Sequence, residues 1–193
     1  MFDVTIVTRD DELEQILRLQ QLNLVGNIDA AEMQSQGFVT MNHSAAVLKQ
    51  MHQLAPSVII KHDHKVVAYA LVMLRECRDL FPPLQPMFTN FDHLEWKGKP
   101  LNDYKFYVMG QVCVDKDYRG KGLFDLLYQK HKEIYQDQYD FVITEVSTRN
   151  HRSIRAHQRA GFQTINTYRD ELDEWAVVIL DFPARVTQSG GKC

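Results

Sequence analysis

Hydrophobic residues open the chain as a short alternating run, Val4-Thr5-Ile6-Val7, and the period then changes. Leu13, Ile16, Leu17 and Leu24 recur at helical spacing behind an acidic start, Asp10–Glu12. Thr8 or Asp10 is placed to cap that helix, because the free N–H groups of a first turn want an oxygen acceptor, and Gly26 stops it. Asp29–Gln36 reads as a weaker helical turn ended by Gly37, and Phe38–Met41 as a short extended piece or a surface loop. Ser44–Gln53 carries Ala45, Val47, Leu48 and Met51, a third helix that ends before Pro56.

Two β-branched apolar runs follow, Ser57–Lys61 and Val66–Leu74, and the polar tip His62-Asp63-His64-Lys65 between them predicts a hairpin. Residues 75–103 break the pattern, since Pro82, Pro83, Pro86 and Pro100 exclude regular central strands. Phe81, Phe88, Phe91 and Trp96 give this stretch more apolar surface than a disordered linker carries. It reads as an ordered insertion with a small hairpin turning at Lys97-Gly98. Lys105–Asp115 and Phe141–Val146 are then strands, each leading into a helix. The first helix starts near Gly120, with Leu123, Phe124, Leu127, His131, Ile134 and Tyr135 on one face; the second runs from Asn150 to Arg159 and closes at Gly161. Phe162–Tyr168 and Glu174–Asp181 form a closing antiparallel pair, and 183–193 a frayed tail. The order predicts one α/β domain over residues 1–182, a mixed sheet with helices on both faces.

Composition narrows the partners more than the fold. With 45% hydrophobic and 24% charged residues in 193, the chain is neither disordered nor fibrous. A net charge of −3 supplies no global field for nucleic acid or an anionic membrane, so neither is expected as a partner. The basic stripe Arg149, Arg152, Arg155 and Arg159 suits a small polyphosphate better than a duplex. Cys77, Cys113 and Cys193 show no metal spacing, the N-terminus lacks the charged start and apolar run of a signal peptide, and no run reaches membrane length. A cytoplasmic location is the expectation.

The chemistry concentrates in Val112-Cys-Val-Asp-Lys-Asp-Tyr-Arg119-Gly120-Lys121-Gly122-Leu123-Phe124. A strand turns through two glycines into an amphipathic helix, so successive N–H groups converge at the positive end of a helix dipole, with Arg119 and Lys121 beside them. That arrangement suits a phosphate. A P-loop would need Ser or Thr after Lys121, where Gly122 stands, and a dinucleotide fingerprint would need glycine where Asp125 stands.

Arg119-Gly-Lys-Gly122-Leu-Phe124 resembles the pyrophosphate loop of the GCN5-related N-acetyltransferase superfamily, Arg/Gln-x-x-Gly-x-Gly/Ala, with Phe124 departing from its last position. A second stretch, Val146-Ser-Thr-Arg-Asn150, then Ser153-Ile154 and His157-Gln-Arg-Ala-Gly161-Phe162, resembles the family's strand–Asn–helix–Gly-Phe segment. The resemblance implies a mostly antiparallel sheet in which one parallel pair, Lys105–Asp115 and Phe141–Val146, splays apart. It further implies acetyl-CoA as co-substrate: pantetheine along Val112, Cys113 and Val114, pyrophosphate on the amides of Arg119, Gly120, Lys121, Gly122, Leu123 and Phe124, and contacts from Asn150 and Ser153. The implied reaction is direct attack of a primary amine on the thioester.

The family often places a tyrosine acid seven residues after the helix-opening Asn, and His157 stands there instead. His157 either protonates the leaving thiolate, or hydrogen-bonds the thioester or a water, or packs as a satisfied helix histidine. Glu145 interrupts the apolar strand Val142–Val146 and is the candidate base, or a holder of a cationic acceptor, or the partner of Arg149 or Arg152. Gln111 can orient substrate but cannot act as base. His62 and His64 lack a third ligand, so no metal is expected, and Cys113 reads as a small buried hydrophobe. The aromatic insertion either lines the acceptor pocket or forms a surface or subunit contact. The expectation is therefore an acyl-CoA-dependent N-acetyltransferase acting on a small-molecule or peptide amine, with a non-catalytic acyl-CoA sensor as the alternative. A homodimer is left open.

Overall fold

A computed structural model describes residues 1–80 and 82–183. Phe81, and the expected tail beyond Pro183, lie outside the described residues. In chain order the elements are β1 (Asp3–Ile6), α1 (Asp10–Asn23), α2 (Ala30–Gln36), α3 (Ala45–Leu54), β2 (Val58–His62) and β3 (Lys65–Met73). The insertion follows with α4 (Gln85–Phe91), β4 (Glu95–Trp96) and β5 (Lys99–Pro100). The second half is β6 (Phe106–Val114), α5 (Leu123–Tyr135), β7 (Phe141–Ser147), α6 (His151–Arg159), β8 (Gln163–Arg169) and β9 (Glu174–Asp181).

Seven strands make one sheet in the order β1-β2-β3-β6-β7-β9-β8. Every pairing in it is antiparallel except β6 with β7. Strand alternation sends Tyr69, Leu71, Val108, Ile143 and Val177 to the face covered by α1 and α3. Ala68, Ala70, Tyr107, Val142, Val146 and Val178 go to the face covered by α5, which packs there with Leu123, Leu127, Tyr128 and Tyr135. Both faces are dry, which is why the central strands read as continuous apolar runs.

Helix α1 corrects the capping expected from sequence. Its N-cap is Arg9, so neither Thr8 nor Asp10 caps it. The buried carboxylate of Glu12 takes that part, accepting from the backbone of Thr8 at 2.8 Å and of Arg9 at 3.1 Å, and it pairs with Lys61 at 3.0 Å. Burial works to raise its pKa, but the bonds from Thr8, Lys61 and Arg9 outweigh it, and the net shift is downward. Glu12 therefore contributes stability that is present above the ordinary glutamate range and lost as pH falls through its lowered pKa. Glu12→Gln is expected to cost about 2–3 kcal/mol at neutral pH, short of a fully broken buried pair because Lys61 keeps Asp3. Urea titrations at falling pH should show the gap to wild type closing.

The insertion is ordered and extends the core. Leu84, Phe88, Phe91 and Leu101 are buried with Phe106, and Phe106 stacks on Phe141 with centroids 5.2 Å apart. Trp96 Nε1 donates to Asp181 at 3.0 Å. These contacts seal the end of the sheet where β6 and β7 begin. The hairpin does turn at Lys97 and Gly98, both at positive φ.

At the other end the same two strands part. They pair only over Phe106↔Phe141 to Val108↔Ile143. Against β3 the register then slips by one at Gly110, between Val72↔Met109 and Leu71↔Gln111. A bulge bends its strand, so β6 leaves with β3 while β7 stays paired to β9 as far as Ser147↔Trp175. Thr144 Oγ1 donates to the Met109 carbonyl at 2.8 Å and closes the crotch of this fork.

Candidate active site

The fork opens into a cleft of about 550 Å³. Val112, Cys113 and Val114 form one wall, Gly120 and Gly122–Asp125 the floor, and Asn150, Arg152, Ser153, Arg155, Ala156 and Arg159 the opposite side. Gly120 and Gly122 have φ of 76° and 75°, a conformation that bends the chain into α5. Among the described residues no acceptor meets the amides of Gly120, Lys121 and Gly122. Those of Leu123 and Phe124 open a helix and have no partner within it. Five successive donors thus sit at a dipole's positive end, and Arg152, Arg155 and Arg159 of α6 line the same cleft, Arg159 paired with Asp125 at 3.2 Å. The arrangement fits a diphosphate.

The pattern of the acetyltransferase (GNAT) family matches residues 28–162. The chain belongs to that family. No curated protein sequence matches it. Similar folds include the ribosomal-protein-S18-alanine N-acetyltransferase of Escherichia coli, at TM-score 0.65 and 13% identity over 97% of this chain and 98% of that one. Ard1 of Thermoplasma volcanium follows at 0.64 and 13%, covering 94% and 98%. YncA of Salmonella typhimurium, solved with its cofactor acetyl-CoA, gives 0.60 and 13%, covering 96% of each. At these identities the likeness is one of fold.

Within this GNAT cleft the motif residues divide into those that face it and those that do not. Val112, Cys113, Val114, Arg119, Gly120, Gly122, Leu123, Phe124, Asn150 and Ser153 line it; Lys121, His157 and Glu145 are not among the lining residues. Lys121 bonds the Asp117 carbonyl at 3.0 Å and lies 4.7 Å over the Tyr118 ring. Arg119 turns from the loop toward α1 and α2, reaching Asn23 Oδ1, Gln36 Oε1 and the Val114 carbonyl. Asn150 caps α6 through Ser153 N at 3.1 Å and donates to the Phe38 carbonyl at 2.9 Å. Burial pushes the Cys113 thiol up to about 12, so it stays protonated.

His157 is buried beneath this floor. Its Nδ1 lies 2.8 Å from the Ser153 carbonyl and its Nε2 3.1 Å from Tyr128 Oη. Nδ1 must then carry the proton, leaving Nε2 to accept from tyrosine. Phe124 packs edge-on at 5.0 Å and Phe162 at 4.9 Å. Burial lowers its pKa to about 4, so the ring is neutral at physiological pH. The departure at Phe124 and the departure at 157 meet in one aromatic cluster, a coupling invisible to either motif alone.

Glu145 is the first residue of β7 beyond the Thr144 bridge, and it shares the face of Ile143, away from α5. Desolvation raises its pKa to about 8, with Tyr168 lowering and Asp170 raising it further. Neither expected arginine pairs with it: Arg149 holds Asp173 at 2.7 Å, and Arg152 reaches Gln36 at 3.0 Å. Gln111 is also engaged, accepting from Tyr69 and donating to the Met41 carbonyl. His62 meets Tyr118 Oη at 3.1 Å. Among the described residues, none of the insertion lines the cleft.

Sequence reading missed the α1–α2 contribution. Asn23, Gln36, Gly37, Phe38 and Val39 cross the cleft mouth. Gly37 is required there: at φ +76° any Cβ would come within 2.9 Å of Asn150 Oδ1. The signal available was the isolated glycine between two weak segments.

Proposed function

We propose that this protein transfers the acetyl group of acetyl-CoA to a primary amine by direct attack in a ternary complex. What carries the reading is the pairing of a free amide row at Gly120–Phe124 with a fork whose opposite face holds Glu145, a carboxylate that neither neighbouring arginine neutralises. Acetyl-CoA, when bound, supplies an acyl carbon activated by a thiol leaving group. The loop amides and the arginines of α6 hold its phosphates, and Val112–Val114 offer strand edges to its arm.

Glu145 takes one proton from the acceptor ammonium. The freed nitrogen bonds to the acyl carbon, the C–S bond opens with its electron pair on sulfur, and the second proton of the nitrogen passes through water to that thiolate. In this reading His157 packs the floor under Phe124 and gives no proton, because both its nitrogens are committed. A carboxyl raised by burial suits the proton transfer, since a base whose pKa lies close to the working pH loses little driving force in either direction.

The test is calorimetry with acetyl-CoA followed by thiol release over a panel of amines. Acceptor-dependent CoA release is expected. Binding without such release would replace the reading with an acyl-CoA sensor; no binding would end both.

A further inference from the structure

The bulge in β8 points to a second residue of the reaction. Strand β9 lies between β7 and β8, and Val177 is opposite Glu145 on one side and Asn166 on the other. The register of β8 slips at Ile165, between Thr164↔Val178 and Asn166↔Val177. In an unbroken ladder Tyr168 would oppose Glu174 and lie on the α5 face, since a slip of one residue reverses every side chain. With the extra residue it opposes Trp175, on the face of Val177 and Glu145. Its side chain then reaches diagonally over β9, and its hydroxyl donates to Glu145 Oε1 at 2.6 Å.

From this geometry we infer that Tyr168 is the positioning residue of the proposed base: it fixes the Glu145 carboxylate at the fork and favours its ionised form. The inference rests on the reading of Glu145 given above. A charge-assisted bond of this length holds one oxygen and leaves the other for an incoming ammonium. Among the described residues two groups act on Glu145 electrostatically, Tyr168 from β8 and Asp170 from the β8–β9 turn. Asp170 is held by the amides of Leu172 and Asp173 at 2.8 and 2.9 Å, and its anion opposes a second charge nearby. Arg149 and Arg152, which follow β7, are turned to Asp173 and Gln36. Tyr168 is thus the favourable partner of the ionised carboxylate. A hydroxyl serves where a guanidinium would not, because it holds the carboxylate without forbidding protonation.

The experiment is Tyr168→Phe, which keeps the ring and removes the donor. Carbon-13 NMR of labelled glutamate in the free protein follows the Glu145 titration directly, assigned with Glu145→Gln. The midpoint is expected to rise by about one pH unit in the variant, the size of one lost bond to a charged group. The acidic limb of kcat/KM should move up by the same amount, with acetyl-CoA affinity unchanged. An unmoved midpoint in a folded variant overturns the inference. Absence of turnover in the wild-type protein would instead overturn the proposed function, and the NMR titration would still decide the role of Tyr168.

Discussion

Gly122→Val is expected to weaken acetyl-CoA binding by about 100-fold or more while leaving the protein folded. Gly122 sits at φ 75°, ψ 9°, where a side-chain-bearing residue costs about 1–2 kcal/mol and a β-branched one more. The chain can relieve that strain only by leaving the left-handed region, and the amides of residues 122–124 then no longer converge. Each bond from such an amide to a phosphate oxygen is worth about 1.5–3 kcal/mol, so losing two removes at least ~3 kcal/mol of binding. By the usual conversion that exceeds a factor of about 100. The fold has little reason to fail, because a Cβ at 122 meets nothing within 4 Å. Gly26→Ala is the control: it has the same open space and no positive φ, and binding should be unchanged. Calorimetry on both variants checks the claim, and tight binding by Gly122→Val would mean the phosphates lie elsewhere.

That loop was legible because its chemistry is local. Strand, two glycines, amphipathic helix and anion geometry fall within thirteen consecutive positions, Val112–Phe124, and period and turn chemistry suffice to read them. The element order was legible for the same reason from Val4 to Asp181, except for α4, Gln85–Phe91, inside the insertion. What could not be read joins distant positions. The arginine at 119 has the local setting of a phosphate ligand, yet Asn23, 96 residues away, and Gln36, 83 away, turn it toward α1 and α2. The glycine at 110 lies inside an unbroken strand pattern, and nothing local says that the register slips there and opens the fork. The same holds for Ile165, whose bulge decides which face Tyr168 takes. Aromatic content showed that the insertion is ordered, but its seat against Phe106 and Phe141 depends on a sheet edge that composition does not describe.

The histidine at 157 shows how much a motif position leaves open. Its place in sequence points at the thioester and leaves three roles open. Burial favours the neutral ring: with its pKa pushed down to about 4, it donates from Nδ1 to the Ser153 carbonyl and accepts from Tyr128. An aromatic neighbour at 124, where the family has a small residue, packs edge-on against that ring at 5.0 Å. In the proposed reaction the proton transfer rests on Glu145, and the largest single test lies there.

Glu145→Gln is expected to lower kcat/KM by about 10²–10⁴, the range of a lost general base, with acetyl-CoA affinity kept. It should also stabilise the fold at alkaline pH. Glu145 has a pKa of about 8 in the folded chain against 4.5 for an ordinary glutamate, because burial disfavours its charge. Below the ordinary value both states are protonated and the group costs nothing. As pH rises from there toward 8, the unfolded chain has released a proton that the folded chain still holds, so stability falls across that window and levels off above it. Glutamine carries no proton to release and keeps Tyr168 satisfied through its amide oxygen. Wild type and variant should therefore match near about pH 4 and separate by a few kcal/mol at about pH 9, the variant being the more stable. A residue kept for packing would lose stability on substitution and change activity only through folding. One that costs stability and supplies turnover shows the opposite signs, and urea titrations at the two pH values beside a pH–rate profile separate the cases.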